Sequence, residues 1–114
     1  MSFRLGWRDA LLNSVSGIRF LISERAFRQE LYVGLVLIAV ELFRSSSVFM
    51  LLYIFASYFL VLLMEAVNSA IETTIDRIGL ERHPLSKKAK DIGSAAVLIS
   101  IIHLCIAWMT SFFL

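Results

Sequence analysis

The sequence predicts an all-α membrane protein with three transmembrane helices and an amino-terminal amphipathic surface helix. Of its 114 residues, 59% are hydrophobic and only 18% are charged. The apolar share is about 61% when Gly replaces Tyr in the count, against about 45–50% in soluble domains. A domain this small cannot bury so much apolar surface in its own core. We therefore expect one integral membrane domain, residues 1–114, with the excess apolar surface facing lipid.

Uncharged tracts mark the predicted spans. Residues 45–64 and 92–114 contain no Lys, Arg, Asp or Glu, and about 20 helical residues cross a hydrocarbon core of about 30 Å. A shorter apolar tract, residues 31–43, carries Glu41 near its end, and we expect this end to reach the interface. The predicted transmembrane helices cover about residues 29–43, 47–66 and 91–113.

An amphipathic pattern precedes the first span. Apolar residues separated by three or four positions fall on one side of a helix; they are Trp7, Leu11, Val15, Ile18 and Ile22. Arg8 and Arg19 flank this side and can reach lipid headgroups. The pattern predicts a helix over about residues 5–23 that lies in the membrane surface. It leaves open whether this helix is a simple anchor or part of a site.

Basic residues predict the orientation. Ten of the eleven lie before Gln29 or between Arg77 and Lys90. Because positive charge favours the cytoplasmic side, we expect the amino terminus and the connection between the last two spans to be cytoplasmic. Residues 44–47 then form an outer turn, and the carboxyl terminus lies outside. No cleavable signal is expected, and the lone Cys105 excludes an intrachain disulfide.

Three residues predict how the last two helices are connected. Gly79 is expected to end one helix, Pro84 to prevent its continuation and Ser86 to cap the next. Further along, the small residue Gly93 is expected to let helices pack closely. His103 lies well inside the third span and is expected to be a neutral, hydrogen-bonded packing residue.

A polar stripe ends the second span and needs an explanation. Its members fall within about 80° of one another on a helix; they are Glu65, Asn68, Glu72 and Asp76. Carboxylates avoid acyl chains, so the stripe must face protein, water, cations or a polar ligand. Further charged residues are expected at the same membrane level: Glu24, Glu30, Lys90 and Asp91. Clustered carboxylates repel one another unless they are protonated, paired or bridged by a divalent cation.

Magnesium and phosphate chemistry would suit these residue types. Magnesium commonly combines one or two carboxylates with nucleotide phosphates, which makes Glu24 and Glu72 candidate ligands and Lys90 a candidate phosphate contact. The deepest carboxylate, Glu65, could orient a lipid hydroxyl and accept its proton late in phosphoryl transfer. Spacing alone leaves two alternatives open: a proton or cation pathway, and a structural ion-pair network in which Arg77 adjoins Asp76.

Three segments resemble the small integral-membrane diacylglycerol kinases of bacteria. The run EAVNSAIETTIDR at residues 65–77 resembles the signature of that family. AFRQE at residues 26–30 and AKDIGSAAV at residues 89–97 resemble its elements before the first span and at the start of the third. The motifs occur in the same order and with matching separations, and the resemblance covers about residues 10–110.

The resemblance implies ATP- and magnesium-dependent phosphorylation of diacylglycerol to phosphatidic acid, by a homotrimer in the bacterial inner membrane. It implies that Glu65 is catalytic and that Glu24 and Glu72 bind the metal. The implied ATP contacts are Glu24, Glu72, Glu81, Arg82, His83, Lys90 and Asp91. The implied supporting positions are Glu30, Asn68, Asp76 and Ser94, of which Ser94 falls near the lipid-binding groove.

Other functions remain as alternatives. The sequence GSAA at residues 93–96 resembles the diacylglycerol-phosphorylating branch more than the related undecaprenol kinases, so undecaprenol kinase is the first alternative. A small proton-coupled multidrug transporter and a structural partner of a larger membrane complex are the others. Three predicted spans instead of four, and acidic groups near the cytoplasmic boundary, favour a kinase over a transporter. We expect no nucleic-acid partner.

Overall fold

The computed structural model describes residues 6–44 and 47–113, which fold into α-helices without any strand. The helices are α1 (Trp7–Ser23), α2 (Arg25–Phe43), α3 (Val48–Ile78) and α4 (Pro84–Phe113). The predicted all-α class is therefore confirmed for these residues. Helix α1 covers most of the range predicted for the surface helix, and its place in the membrane surface stays a prediction. The predicted helix start at residue 5, the middle of the outer turn at residues 45–46, and residue 114 lie outside the described residues.

Two of the described helices, α3 and α4, are long and apolar enough to cross a membrane, with 31 and 30 residues respectively. Helix α2 has 19 residues and is mostly apolar, but it carries four charges; they are Arg25, Arg28, Glu30 and Glu41. A span at α2 therefore remains a prediction. Both long helices extend beyond their predicted spans, and α3 continues to Ile78, so the polar stripe lies on a helical extension of the apolar segment.

Helix α4 packs against α3 through a buried face of mostly small residues. The buried residues of α4 recur at alternating spacings of four and three, which keeps one side of the helix against its neighbour; they are Gly93, Val97, Ser100, Leu104, Ala107 and Ser111. In the core, Leu104 and Ala107 pack with Ile54 and Val61 of α3. Small side chains allow two helices to approach closely, so α3 and α4 form the central hairpin of the fold.

Tyr58 attaches α2 to this hairpin. Its ring lies against Gly34, where an added Cβ would overlap the ring. Its hydroxyl donates a hydrogen bond of 3.0 Å to the backbone carbonyl of Glu30, which satisfies the polar end of a buried tyrosine. The contact holds Glu30, a predicted site residue, beside α3.

The connection between α3 and α4 confirms one predicted boundary and corrects another. The N–H of Gly79 donates to the carbonyl of Ile75 at 3.1 Å, directly after the last residue of α3. The prediction that Ser86 caps α4 is wrong, because α4 already begins at Pro84. Proline suits the first turn of a helix since no N–H is needed there. The cap is His83 instead, whose Nδ1 accepts a hydrogen bond from the N–H of Leu85 at 3.1 Å.

His103 packs inside the helical hairpin, as predicted. Its ring meets that of Tyr53 edge-on, with 6.0 Å between the centroids. The expected hydrogen bond is not found at Nδ1 of His103, which is buried and has no partner among residues 6–44 and 47–113. Packing against an aromatic ring is therefore the observed role of this side chain.

A polar clip, formed by Glu41, Arg44 and Ser111, joins α2 to the end of α4. We expected this end of α2 at the interface; the structure encloses Glu41, which is only 1% exposed. Arg44 Nη1 lies 2.7 Å from Glu41 Oε1 and 3.0 Å from Ser111 Oγ. The guanidinium also lies 3.8 Å from the centroid of the Phe112 ring. The clip links two helices far apart in the sequence.

Replacing Glu41 with alanine should destabilise the fold. Breaking a buried ion pair costs about 3–5 kcal/mol, and we expect about 3 kcal/mol because the Arg44 side chain remains 29% exposed. Glu41→Gln should cost less, since its amide oxygen can still accept from Arg44. Reversible unfolding by SDS in mixed micelles, followed by tryptophan fluorescence, measures the free energy of unfolding of both variants. A loss below about 1 kcal/mol for Glu41→Ala would show that the clip does not stabilise the fold.

Candidate functional site

The predicted polar stripe lies along one helix. Glu65, Asn68, Glu72 and Asp76 all belong to α3. Glu65 and Asn68 are partly buried, whereas Glu72 and Asp76 are exposed. The stripe therefore runs from the packed part of the bundle to the solvent-accessible end of α3.

A bend between α1 and α2, which we call the elbow, positions Glu24. Glu24 adopts an extended backbone conformation, with φ −84° and ψ 133°, so α1 turns away from α2. Arg28 Nη1 donates to the carbonyl groups of Ile22 and Ser23 at 3.0 and 2.9 Å. These bonds satisfy carbonyl groups that the end of a helix leaves without partners. The elbow brings Glu24 to α3, where Ser69 Oγ donates to Glu24 Oε2 at 2.6 Å.

Four acidic residues meet at this level and form what we call the carboxylate cluster: Glu24, Glu30, Glu65 and Glu72. Glu65 is close enough to the other three for their charges to act on it. The members come from the elbow, from α2 and from α3, so tertiary packing assembles the cluster. Like charges so arranged favour a proton or a bound cation among them. The structure thus brings Glu24 and Glu30 near Glu65 and Glu72, and their common level in the membrane stays a prediction.

A cleft of about 710 Å³, which we call the loop cleft, lies between the end of α3, the following loop and the start of α4. It contains five of the seven predicted ATP contacts: Glu81, Arg82, His83, Lys90 and Asp91. The other two, Glu24 and Glu72, belong to the carboxylate cluster. Asp76 also lines the loop cleft, and Glu72 acts electrostatically on Lys90. The loop cleft and the carboxylate cluster are therefore neighbours.

Ion pairs hold two lysines in the loop cleft. Lys90 Nζ lies 2.8 Å from Asp76 Oδ1, and Lys87 Nζ lies 2.6 Å from Asp91 Oδ2. The hydrogen bond to Asp76 raises the pKa of Lys90, which precedes the predicted span at residues 91–113, so Lys90 stays cationic at neutral pH. The predicted neighbour of Asp76, Arg77, is not its partner here. Exposed ion pairs contribute little stability, so both lysines can exchange a carboxylate for a phosphate at small cost.

A second cavity, which we call the α1–α3 groove, has a volume of about 670 Å³. Much of its lining is apolar and comes from both helices, including Ile18 and Phe20 of α1 and Ala66 of α3. The hydrogen-bonded pair Glu24 and Ser69 also lines it. Through Glu24 the groove adjoins the carboxylate cluster. Ser94, predicted near a lipid-binding groove, is exposed and belongs to neither cavity wall.

Asn68 lies where α3 and α4 are in close contact. Its Oδ1 atom is buried and has no hydrogen-bond partner within the described part of the chain. A Cβ added at Gly93 would overlap this oxygen. The predicted packing role of Gly93 is therefore confirmed, and this glycine makes room for a polar side chain of the stripe.

Gly93→Ala should disturb both packing and the position of Asn68. The added methyl group would displace the Asn68 amide, and overpacking typically costs about 1–3 kcal/mol. Unfolding by SDS in mixed micelles measures the free energy of unfolding. The matched control is Gly17→Ala, where nothing lies within 4 Å of the added Cβ; it should not destabilise the protein. Equal stability of both variants and the parent would contradict the assigned role of Gly93.

The acidic residues suit magnesium better than a metal held entirely by side chains. No group of three or more His, Cys, Asp or Glu side chains that could hold a metal occurs in residues 6–44 or 47–113. Magnesium needs only one or two carboxylates when phosphates and waters complete its oxygen ligands. Glu24 and Glu72 supply that number in the carboxylate cluster. The donor set is therefore compatible with a magnesium–nucleotide complex.

Comparison with known proteins identifies the class. The sequence matches the family described as prokaryotic diacylglycerol kinase over residues 12–112. Relatives named diacylglycerol kinase include those of Pseudomonas aeruginosa and Escherichia coli K12, each 45% identical over 87 residues, covering 76% of this chain and 71% of the relative. The Haemophilus influenzae relative is 42% identical over 86 residues, covering 75% of this chain and 73% of its own.

The long apolar helices and these relatives define a kinase of the integral-membrane class. More particularly, the chain belongs to the prokaryotic diacylglycerol kinase family. The resemblance stated from the motifs is confirmed, and so is the prediction of an enzyme of this class. Membership also favours a kinase over the transporter and over a purely structural partner.

Proposed function

We propose that the protein transfers the γ-phosphate of ATP to diacylglycerol, giving phosphatidic acid, in a magnesium-dependent reaction. One observation carries the proposal: the carboxylate cluster lies next to both the loop cleft, which contains cationic side chains, and the largely apolar α1–α3 groove. A kinase acting on a lipid needs these two kinds of surface side by side. The relatives named diacylglycerol kinase support the choice of lipid.

In this proposal the loop cleft binds the nucleotide. Arg82 and Lys90 contact the phosphates, because guanidinium and ammonium groups are strong hydrogen-bond donors to phosphate oxygen. Lys90 leaves Asp76 when it does so. His83 caps α4 through Nδ1, so Nε2 is the ring nitrogen available to the nucleotide. Glu81 and Asp91 complete the polar wall as acceptors.

Glu24 and Glu72 are the proposed magnesium ligands. These two carboxylates would hold the ion, which would supply positive charge to offset the negative charge that develops during phosphoryl transfer. Asn68 offers an amide oxygen that has no hydrogen-bond partner among the described residues, and Glu30 and Asp76 support the site through charge. Each of these residues lies on α3, on α2 or at the elbow, so their spacing depends on how these elements pack.

Glu65 is the proposed catalytic residue. It accepts a hydrogen bond from the diacylglycerol hydroxyl and directs that oxygen toward the γ-phosphorus. The oxygen–phosphorus bond forms while the bond from the γ-phosphorus to the β–γ bridging oxygen breaks, which releases ADP. The hydroxyl proton passes to the Glu65 carboxylate late in the step, consistent with a loose transition state that needs little prior deprotonation.

The α1–α3 groove is the proposed path for the lipid. Its apolar walls suit acyl chains, and the hydrogen-bonded pair Glu24 and Ser69 in its lining lies where the groove adjoins the carboxylate cluster. In this arrangement α1 is part of the substrate site and more than an anchor. Ser94 remains a proposed lipid contact, which a neighbouring subunit would have to bring near the groove.

The proposed assembly is a homotrimer in the bacterial inner membrane, with α2, α3 and α4 as the three spans. The amino terminus and the loop cleft face the cytoplasm, where ATP is found, and the carboxyl terminus lies outside. Both cavities are open at the surface of the single chain, so neighbouring subunits would complete them. A site shared between subunits explains how 114 residues can enclose a nucleotide, a metal and a lipid.

A competition between two lipids tests the proposed substrate. Purified protein in mixed micelles receives γ-labelled ATP, magnesium, and equal mole fractions of diacylglycerol and undecaprenol, and chromatography separates the labelled products. Phosphatidic acid should predominate. Predominance of undecaprenyl phosphate would support the alternative kinase. Absence of any labelled lipid, from protein that remains folded, would overturn the proposed reaction.

A further inference from the structure

Ser69 is an α3 residue that makes a bond between distant parts of the chain. It lies between two members of the carboxylate cluster on the same helix, four residues after Glu65 and three before Glu72. Its hydroxyl donates to Glu24 Oε2 at 2.6 Å, across 45 positions of sequence. Both residues are partly buried, which favours a stronger bond than one fully exposed to water.

Different residues hold the carboxylate of Glu24 and the backbone of the elbow. Glu24 stands at the position before α2, but its carboxylate makes no capping bond to that helix. The elbow backbone is held by Arg28, through the carbonyl groups of Ile22 and Ser23. The Ser69 hydroxyl is the group found to hold the Glu24 carboxylate itself, within the part of the chain that the structure describes.

The position of Ser69 directs Glu24 toward Glu72. Residues three apart on a helix are neighbours on its surface. Ser69 and Glu72 are separated by only about 4.5 Å along the axis of α3. A carboxylate tied to Ser69 is thereby held within about one helical turn of the position of Glu72 on α3, and the charges of Glu24 and Glu72 both act on Glu65. Hydrogen bonds from outer residues commonly fix ligating carboxylates in this way.

We infer that Ser69 is a positioning residue: its hydroxyl holds Glu24 so that Glu24 and Glu72 can bind one divalent cation. The inference rests on the proposed function, since it takes these two carboxylates as the magnesium ligands. Ser69 itself does not touch the reacting atoms in this arrangement. Its loss should therefore weaken cation binding and leave the chemical step largely intact once cation saturates the site.

Three variants of the full-length protein in micelles test the inference. Ser69→Ala removes the hydroxyl, and Ser69→Thr keeps it. Ser57→Ala is the matched control. It also removes an α3 hydroxyl, but one whose partner in the described part of the chain belongs to the same helix, the carbonyl of Tyr53. Manganese replaces magnesium as a paramagnetic probe. Electron paramagnetic resonance measures free Mn²⁺ in the presence of a non-hydrolysable ATP analogue, which reads binding without turnover.

We expect Ser69→Ala to bind Mn²⁺ about tenfold more weakly than the parent, with kcat at saturating cation within about twofold. Ser69→Thr and Ser57→Ala should bind it within about threefold of the parent. The inference is overturned by unchanged binding in Ser69→Ala, by equal losses in Ser69→Thr and Ser69→Ala, or by a parent that binds no Mn²⁺. If the parent and variants bind Mn²⁺ as expected but no lipid is phosphorylated, the proposed function fails while the role of Ser69 stands.

Discussion

Glu65→Gln should lower kcat for lipid phosphorylation by about 10²–10⁴-fold, the usual contribution of a positioned acid or base. The amide keeps nearly the same shape but cannot take the hydroxyl proton. Nucleotide affinity should change by less than about threefold, because Glu65 does not line the loop cleft and is not among the residues proposed to contact the phosphates. Steady-state rates in mixed micelles, together with calorimetric binding of an ATP analogue, separate the two effects.

The matched control for this variant is Glu41→Gln. It makes the same change in a carboxylate outside the proposed site, at the far end of α2 in the clip with Arg44 and Ser111. Its kcat should stay within about twofold of the parent. If Glu65→Gln kept a kcat within tenfold of the parent, Glu65 would not be the catalytic residue.

Glu72→Gln should act mainly on metal-dependent nucleotide binding. Removing one of two proposed carboxylate ligands should raise the magnesium concentration needed for half-maximal binding of an ATP analogue by at least about 10–100-fold, because even outer residues of metal sites have effects of that size. Turnover should fall at low magnesium and recover in part as magnesium is raised. Titrations of analogue binding against free magnesium measure the change.

Asp9→Asn is the control for Glu72→Gln, since Asp9 is an exposed carboxylate in the first turn of α1. Its magnesium dependence should match that of the parent. Unchanged magnesium dependence in Glu72→Gln would remove Glu72 from the metal site. Lost turnover with intact magnesium-dependent binding would instead give Glu72 the role proposed for Glu65.

The helical framework could be predicted because its signals are local. The 3.6-residue period predicted α1, the uncharged tracts predicted the apolar parts of α3 and α4, and Gly79 marked the end of α3. The α4 cap was predicted at the wrong residue because a serine is usually the better cap. Pro84 fixed the helix start, however, and so placed His83 at the cap position.

The site was predictable where its residues share one helix or one motif. The stripe on α3 followed from spacing, and the loop-cleft residues followed from the resemblance. The hydrogen bond of Ser69 was missed because its partner lies 45 positions away, and a serine among small residues has no distinctive pattern. The burial of Glu41 was missed for the same reason, since Ser111 lies 70 positions further on. Only the packing of α2 and α4 against α3 reveals such partners.

The most direct test of the proposed reaction is the rate of phosphatidic acid formation from diacylglycerol and γ-labelled ATP, measured against free magnesium. In the proposed reaction, a cation brings the triphosphate and the carboxylate cluster together. We therefore predict no product in excess EDTA and a saturable rise in rate as magnesium is added. Phosphatidic acid formed equally well without divalent cation, or none formed at any magnesium concentration, would contradict the account.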